Sequence, residues 1–181
     1  ARELYAALHL NYPIILTRDL ARAKAWIRSK VRGTERAGVL ASSKAKRLRS
    51  VGIWVNVQRD PVAWFLNDPA NADASCFLEV PATEFEVQGL EIDYGLLAWD
   101  ADLRYCDGGF DYFDCRGARW MHVNKEQGQR YLKNAYRVLL TRARQGLVIF
   151  VPEGDPDDET RRPEYYDGTY AYLKSLGLQE I

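Results

Sequence analysis

Short apolar runs at residues 12–17, 39–41, 77–80, 96–99 and 147–151 alternate along this chain with stretches in which apolar residues recur every three or four positions. Runs of that length bounded by turn residues predict strands buried on both faces, and the three-and-four spacing predicts helices packed against them. After the first run, Asp19 stands where a helix cap belongs, and Leu20, Ala23, Ile27 and Val31 keep helical spacing until Gly33. Ser42 and Ser43 follow the second run as caps for a brief basic helix over residues 44–49, stopped near Gly52. The pattern then predicts a strand at 54–57, a helical turn at 62–66 and a loop at 67–74, rich in Asn, Asp and Pro. A long helix is expected from about residue 125 to 144, and a last one from Pro163 to about residue 176. Strand and helix in alternation predict an α/β fold, a mostly parallel sheet with helices on both faces.

On the long helix, Leu132, Tyr136, Leu139 and Ala143 share one face, while Arg137, Thr141 and Arg144 lie opposite. Arg142 falls on the flank, about 80° from the core centre at 100° per residue. A partly buried guanidinium needs a partner. That partner is either a carboxylate such as Glu91 or Asp93, or a phosphate across a cleft, which the planar fork of arginine binds through two oxygens. Between the runs at 77–80 and 96–99 lies a polar segment, residues 83–91. Its Thr83 hydroxyl and Gln88 amide suit phosphate or sugar, Gly89 permits close approach, and Glu91 suits ribose hydroxyls. A plain polar loop with a Gly turn would look the same.

Two other groups have a functional and a structural reading. The aromatics Tyr105, Phe110, Tyr112, Phe113 and Trp120 could stack bases, though aromatics in a Gly-rich loop more often anchor that loop to the core. Asp100 ends an apolar run like a magnesium-holding acid, but an ordinary turn Asp fits better because no G-x-x-x-x-G-K-[ST] loop occurs. A nuclease built from Asp100, Asp102 and Glu91 lacks a His or Lys at a convincing spacing.

With 181 residues, 47% of them hydrophobic, the chain is expected to bury one core of ordinary size. No run of 18 apolar residues exists, and the start has no apolar signal core, so we expect no membrane partner, a cytoplasmic location and a fragment of a longer protein. Three cysteines without a CxxC pair, with only His9 and His122 to assist them, predict no structural metal. The zero net charge conceals an asymmetry. Residues 1–50 hold 12 Lys and Arg against 3 Asp and Glu, a net of +9, and the remainder balances them. Phosphate contacts need local rather than total positive charge, which makes Arg18, Lys44, Lys46 and Arg47 candidate nucleic-acid contacts.

The order of apolar strand, Thr83…Gln88-Gly89-Leu90-Glu91, apolar strand, long helix and Leu140-Thr141-Arg142-Ala143 resembles motifs V and VI of superfamily 1 helicases. With Trp99-Asp100-Ala101-Asp102-Leu103-Arg104, residues 134–146 and Pro152-Glu153-Gly154, most of the chain resembles the Schlafen group 3-like DNA/RNA helicase domain family. The resemblance implies the second, C-terminal RecA-like lobe of a P-loop ATPase that acts on DNA or RNA, spanning residues 1–181. It implies that ATP and Mg2+ sit mainly on a preceding N-terminal lobe, with Arg142 as the arginine finger at the γ-phosphate. Gln88, Gly89 and Glu91 would face the nucleotide, and Thr83 the nucleic-acid backbone. The motif IV arginine has no good match, Arg2 being a poor one. The competing reading is a RecA-like module that binds nucleic acid or protein without catalysis.

Overall fold

The computed structural model describes residues 3, 6–7, 11–55, 60–68 and 70–181. Six parallel strands form one sheet: β1 (Ile14–Thr17), β2 (Ala37–Ala41), β3 (Pro81–Ala82), β4 (Ile92–Ala98), β8 (Ala143–Phe150) and β9 (Gln179–Glu180), in the order β3-β2-β4-β8-β1-β9. Side chains alternate across a strand, and parallel pairing aligns that alternation between neighbours. Val39, Leu96, Val148 and Ile15 are register partners in a row across the sheet and belong to one buried cluster. Leu40, Leu97, Ile149 and Leu16 form the next row and point into the other cluster. This is why the runs are apolar at every position.

Helices cover both faces. Ala23 and Ile27 of α1 (Leu20–Lys30) pack on the first row, and the Asp19 carboxylate accepts the Arg22 N–H to cap that helix. Leu132, Tyr136 and Leu139 of α3 (Glu126–Leu140), with Tyr166 and Leu173 of α4 (Glu164–Ser175), pack on the second. The short α2 (Pro61–Leu66) lays Trp64 against Gly38, where a Cβ would stand 2.8 Å from the indole ring. The result is the α/β sandwich, a mostly parallel sheet with helices on both faces, that the strand-helix alternation predicts, and it is consistent with the RecA-like type that the resemblance implies.

Five predicted elements differ, the last of them the aromatic loop that follows β4. The basic helix after Ser42-Ser43 is a 3-10 helix over Lys46–Val51; Ser42 Oγ instead accepts the Lys44 N–H and shapes a turn. Residues 77–80 are not a strand: Ser75–Phe77 is a 3-10 turn, Leu78 sits at φ +65°, and pairing begins only at Pro81. Trp54 and Val55 form no strand, and the rest of that predicted element lies outside the described residues. The long helix stops at Leu140, where the Thr141 hydroxyl donates to the Arg137 carbonyl, so Arg144 lies in β8 and not on a helix.

Residues 103–122 are strands rather than a loop. β5 (Leu103–Cys106), β6 (Gly109–Arg116) and β7 (Arg119–His122) form a second, antiparallel sheet. Asp107 (φ +49°) and Gly108 (φ +84°) make the β5–β6 turn, whose two left-handed positions suit the twist of a hairpin. The sheet is fastened to the body by its aromatics. Tyr105 stacks on Tyr172 at 3.9 Å, and the Trp120 indole N–H donates to the Thr160 carbonyl at 2.7 Å. The buried Arg104 guanidinium lies over Phe113, Trp120 and Tyr165.

Candidate functional site

The segment between β3 and β4, residues 83–91, crosses the sheet from the C-terminal ends of its strands to their N-terminal ends. Sequence candidates gather at both of these edges.

At the N-terminal edge, β4 and β8 begin side by side, with the Ile92 N–H donating to the Arg142 carbonyl at 3.0 Å. Arg142 follows the Thr141 helix cap directly, so its side chain lies back along the end of α3. Its Nε donates to the Val138 carbonyl (3.1 Å), Nη1 to the Leu90 carbonyl (3.4 Å) and Nη2 to the Thr141 hydroxyl (3.4 Å). None of these partners is charged, and no carboxylate pairs with Arg142 among the described residues. Asp93 is committed elsewhere, to Arg144 at 2.8 Å, the Gln145 amide at 3.0 Å and the Arg36 N–H at 2.7 Å. Burial alone would raise the Asp93 pKa, but these donors together pull it below the usual carboxylate value. Both β8 side chains reach Asp93 because the register slips between Ile92 and Tyr94, where β8 inserts one extra residue. Gln88, Gly89 and Glu91 are exposed beside Leu90, with Gly89 at φ +82°, a conformation that side chains rarely adopt. The structure therefore brings Arg142 together with the polar segment.

At the C-terminal edge a groove of about 990 Å³ opens between the ends of β2 and β3, the second sheet and the start of α3. Its charged lining is Lys44, Lys46, Arg116 and Lys125 against the single acid Asp114, and its apolar lining includes Phe85 and Met121. Phe85 is 62% exposed and stacked beside Tyr131; Met121 is 50% exposed. Lys44 reaches Asp114 only at 3.6 Å, and Lys46 touches the Cys115 carbonyl at 3.3 Å, so both ammonium groups keep unspent donors. Phe85 was not a sequence candidate, since one aromatic between two glutamates carries no periodic signal.

The remaining candidates lie away from this groove. Arg18 is held by Asp167 (2.6 Å) and the Pro152 carbonyl beneath Tyr170, and Arg47 by Asp158 (2.9 Å). Arg18 thus spends both terminal nitrogens within the fold, whereas Arg47 spends Nη2 on Asp158 and leaves its buried Nε without a hydrogen-bond partner. Thr83 stands at the groove end of the crossing segment but is buried, and its N–H and hydroxyl both donate to the Glu86 carboxylate. Arg2 and His9 lie outside the described residues. The aromatics of residues 105–120 hold the second sheet to the core.

Asp100 and Asp102 follow β4 in a buried turn, bound by Tyr166 (3.1 Å) and Tyr136 (2.6 Å) respectively. With Glu91 at the opposite edge, the three acids form no common site, and no cluster of three metal-ligating side chains occurs among the described residues. Loss of solvation, then repulsion from Asp100, pushes the Asp102 carboxyl up to about 7 from 3.8. The folded state therefore binds more protons than the unfolded chain between those values, and the contribution of Asp102 to stability falls as pH rises across that window. Relative to Asp102→Asn, the wild-type chain is expected to lose melting temperature between pH 5 and pH 8. A difference independent of pH would show that Asp102 is ionised throughout.

The sequence profile of the Schlafen group 3, DNA/RNA helicase domain, matches residues 1–153. No curated protein and no solved structure matches the chain. No helix among the described residues is long and apolar enough to cross a membrane.

Proposed function

Since this chain belongs to the Schlafen group 3 family of DNA/RNA helicase domains, we propose that it is the C-terminal RecA-like lobe of an ATP-dependent helicase or translocase. In this reading a preceding P-loop lobe holds ATP and its Mg2+, whose role is to draw off charge from the transferring phosphoryl group. Arg142 swings from its backbone carbonyls to the γ-phosphate when the lobes close, and its fork neutralises charge on the phosphoryl oxygens in the transition state. Gln88 and Glu91, exposed on the same rim, meet the ribose, and Gly89 lets the backbone approach. The groove at the other edge takes the DNA or RNA backbone, with Lys44 and Lys46 as phosphate contacts and Phe85 as a stacking platform for a base.

The observation that carries this reading is the Arg142 guanidinium, half-buried between α3 and β8 with only backbone carbonyls and a hydroxyl as partners. Such contacts break at little cost compared with a buried ion pair. The full-length protein is expected to hydrolyse ATP faster in the presence of a single-stranded oligonucleotide. Lys44→Ala should weaken oligonucleotide binding and flatten the plot of log affinity against log salt by about 0.7 per lost phosphate contact. ATP turnover indifferent to nucleic acid, with a salt slope untouched by Lys44→Ala, would remove the groove from the function.

A further inference from the structure

We infer that Glu84 is a positioning residue for the nucleic-acid groove: its buried carboxylate grips the 42–47 loop from behind and so aims Lys44 and Lys46 into the groove. The inference rests on the proposed role of that groove.

Glu84 is 5% exposed, directly beneath the lysine-bearing wall. Its Oε2 accepts the Ser43 backbone N–H at 2.9 Å, and its Oε1 accepts the Ser43 hydroxyl at 2.7 Å and the Tyr131 hydroxyl at 2.5 Å. Three donors from two elements meet two oxygens, and no cation pairs with this carboxylate among the described residues. A buried carboxylate without a counter-ion is costly unless its hydrogen bonds serve it fully. These donors do so, and in return the carboxylate fixes the position of Ser43, the residue immediately before Lys44.

Two further contacts extend the grip along the same loop. Ser42 Oγ accepts the Lys44 N–H at 3.1 Å, and the Arg47 N–H donates to buried Asp100 at 2.9 Å. The loop is thus pinned at its start by Glu84, which belongs to the 83–91 segment, and near its end by Asp100, which follows β4. Electrostatically Glu84 is out of place, because a fixed negative charge under a phosphate channel repels the ligand. Its geometric and its electrostatic effects on binding therefore have opposite signs.

That opposition supplies the test, read as the affinity of the full-length protein for a fluorescent single-stranded oligonucleotide at several salt concentrations. Leucine at position 84 fills similar space but accepts no hydrogen bond, so it cannot hold Ser43 and Tyr131 together. Glu84→Leu is expected to weaken binding about fivefold and to flatten the salt slope toward that of Lys44→Ala. Combined with Lys44→Ala it should cost less than the two effects multiplied, because Lys44 is common to both. Glu84→Asp keeps the charge but is too short to reach both partners, and it should also weaken binding. Unchanged or tighter binding in Glu84→Leu, or wild-type binding in Glu84→Asp, would overturn the inference. An undiminished affinity in Lys44→Ala would instead strike the groove assignment on which it rests. Should Glu84→Leu fail to fold, Glu84→Asp decides alone.

Discussion

Replacing Arg142 by alanine in the full-length protein is expected to lower ATP turnover by about 10³-fold or more, the scale of arginine-finger loss, while leaving the fold intact. The two halves of that expectation have separate causes. Turnover falls because the neighbouring guanidinium cannot take its place: Arg144, two residues on, is tied to Asp93 at 2.8 Å across the bulge in β8. Folding survives because the Arg142 side chain bonds only the Val138 and Leu90 carbonyls and the Thr141 hydroxyl, and no buried carboxylate is orphaned by its removal. Arg142→Lys should recover little, since a point charge on a flexible stem cannot reproduce the bidentate fork. Wild-type turnover in the alanine variant, measured with saturating ATP and oligonucleotide, would take Arg142 out of the chemistry. A large drop in melting temperature would mean that its contacts are structural.

A second large effect is expected far from both edges. A methyl group at Gly168 would lie 2.2 Å from the Tyr105 carbonyl oxygen, inside any tolerable contact and against backbone that cannot rotate away. Here α4 docks on β5: the Thr169 hydroxyl accepts the Tyr105 N–H at 2.9 Å, and Tyr172 stacks on the Tyr105 ring. Gly168→Ala must push helix and strand apart along that whole contact. We expect it to cost about 3 kcal/mol or more in urea denaturation, in the range of severe overpacking. Gly109→Ala is the control, because a Cβ there meets nothing within 4 Å, and it should shift stability by no more than about 0.5 kcal/mol. The second sheet forms a wall of the groove through Asp114, Arg116 and Met121, so Gly168→Ala is also expected to weaken oligonucleotide binding. Equal stability of the two variants would show that α4 and β5 pack more loosely than their geometry implies.

Much of the fold is legible in the chain because burial on both faces leaves no choice of residue. Residues 14–17, 92–98 and 147–150 are apolar almost throughout, and helical spacing after Asp19 tells which face of α1 meets them. The second sheet carried a readable signal too, Asp107-Gly108 between alternating residues, but its charged and aromatic content mimics a loop. Residues 77–80 show the reverse failure. Their apolar character comes from contact with the core through a 3-10 turn, and composition cannot separate such a turn from a strand.

The candidate site divides along the same line. Local order alone specifies that Arg142 lies at the junction of a helix and a strand, and that Thr83, Gln88, Gly89 and Glu91 occupy a short connection between strands, because those statements depend only on neighbours in the chain. Which arginines remain available was decided by residues far away in sequence. Asp167 holds Arg18, Asp158 holds Arg47 and Asp93 holds Arg144, whereas Arg142 meets no acid. Ion pairing depends on distances of a few ångströms between separate elements, and no local pattern encodes them. The same reason hid Phe85, Tyr131 and Glu84, which meet only because parallel pairing sets the ends of β2 and β3 next to each other, facing the first turns of α3.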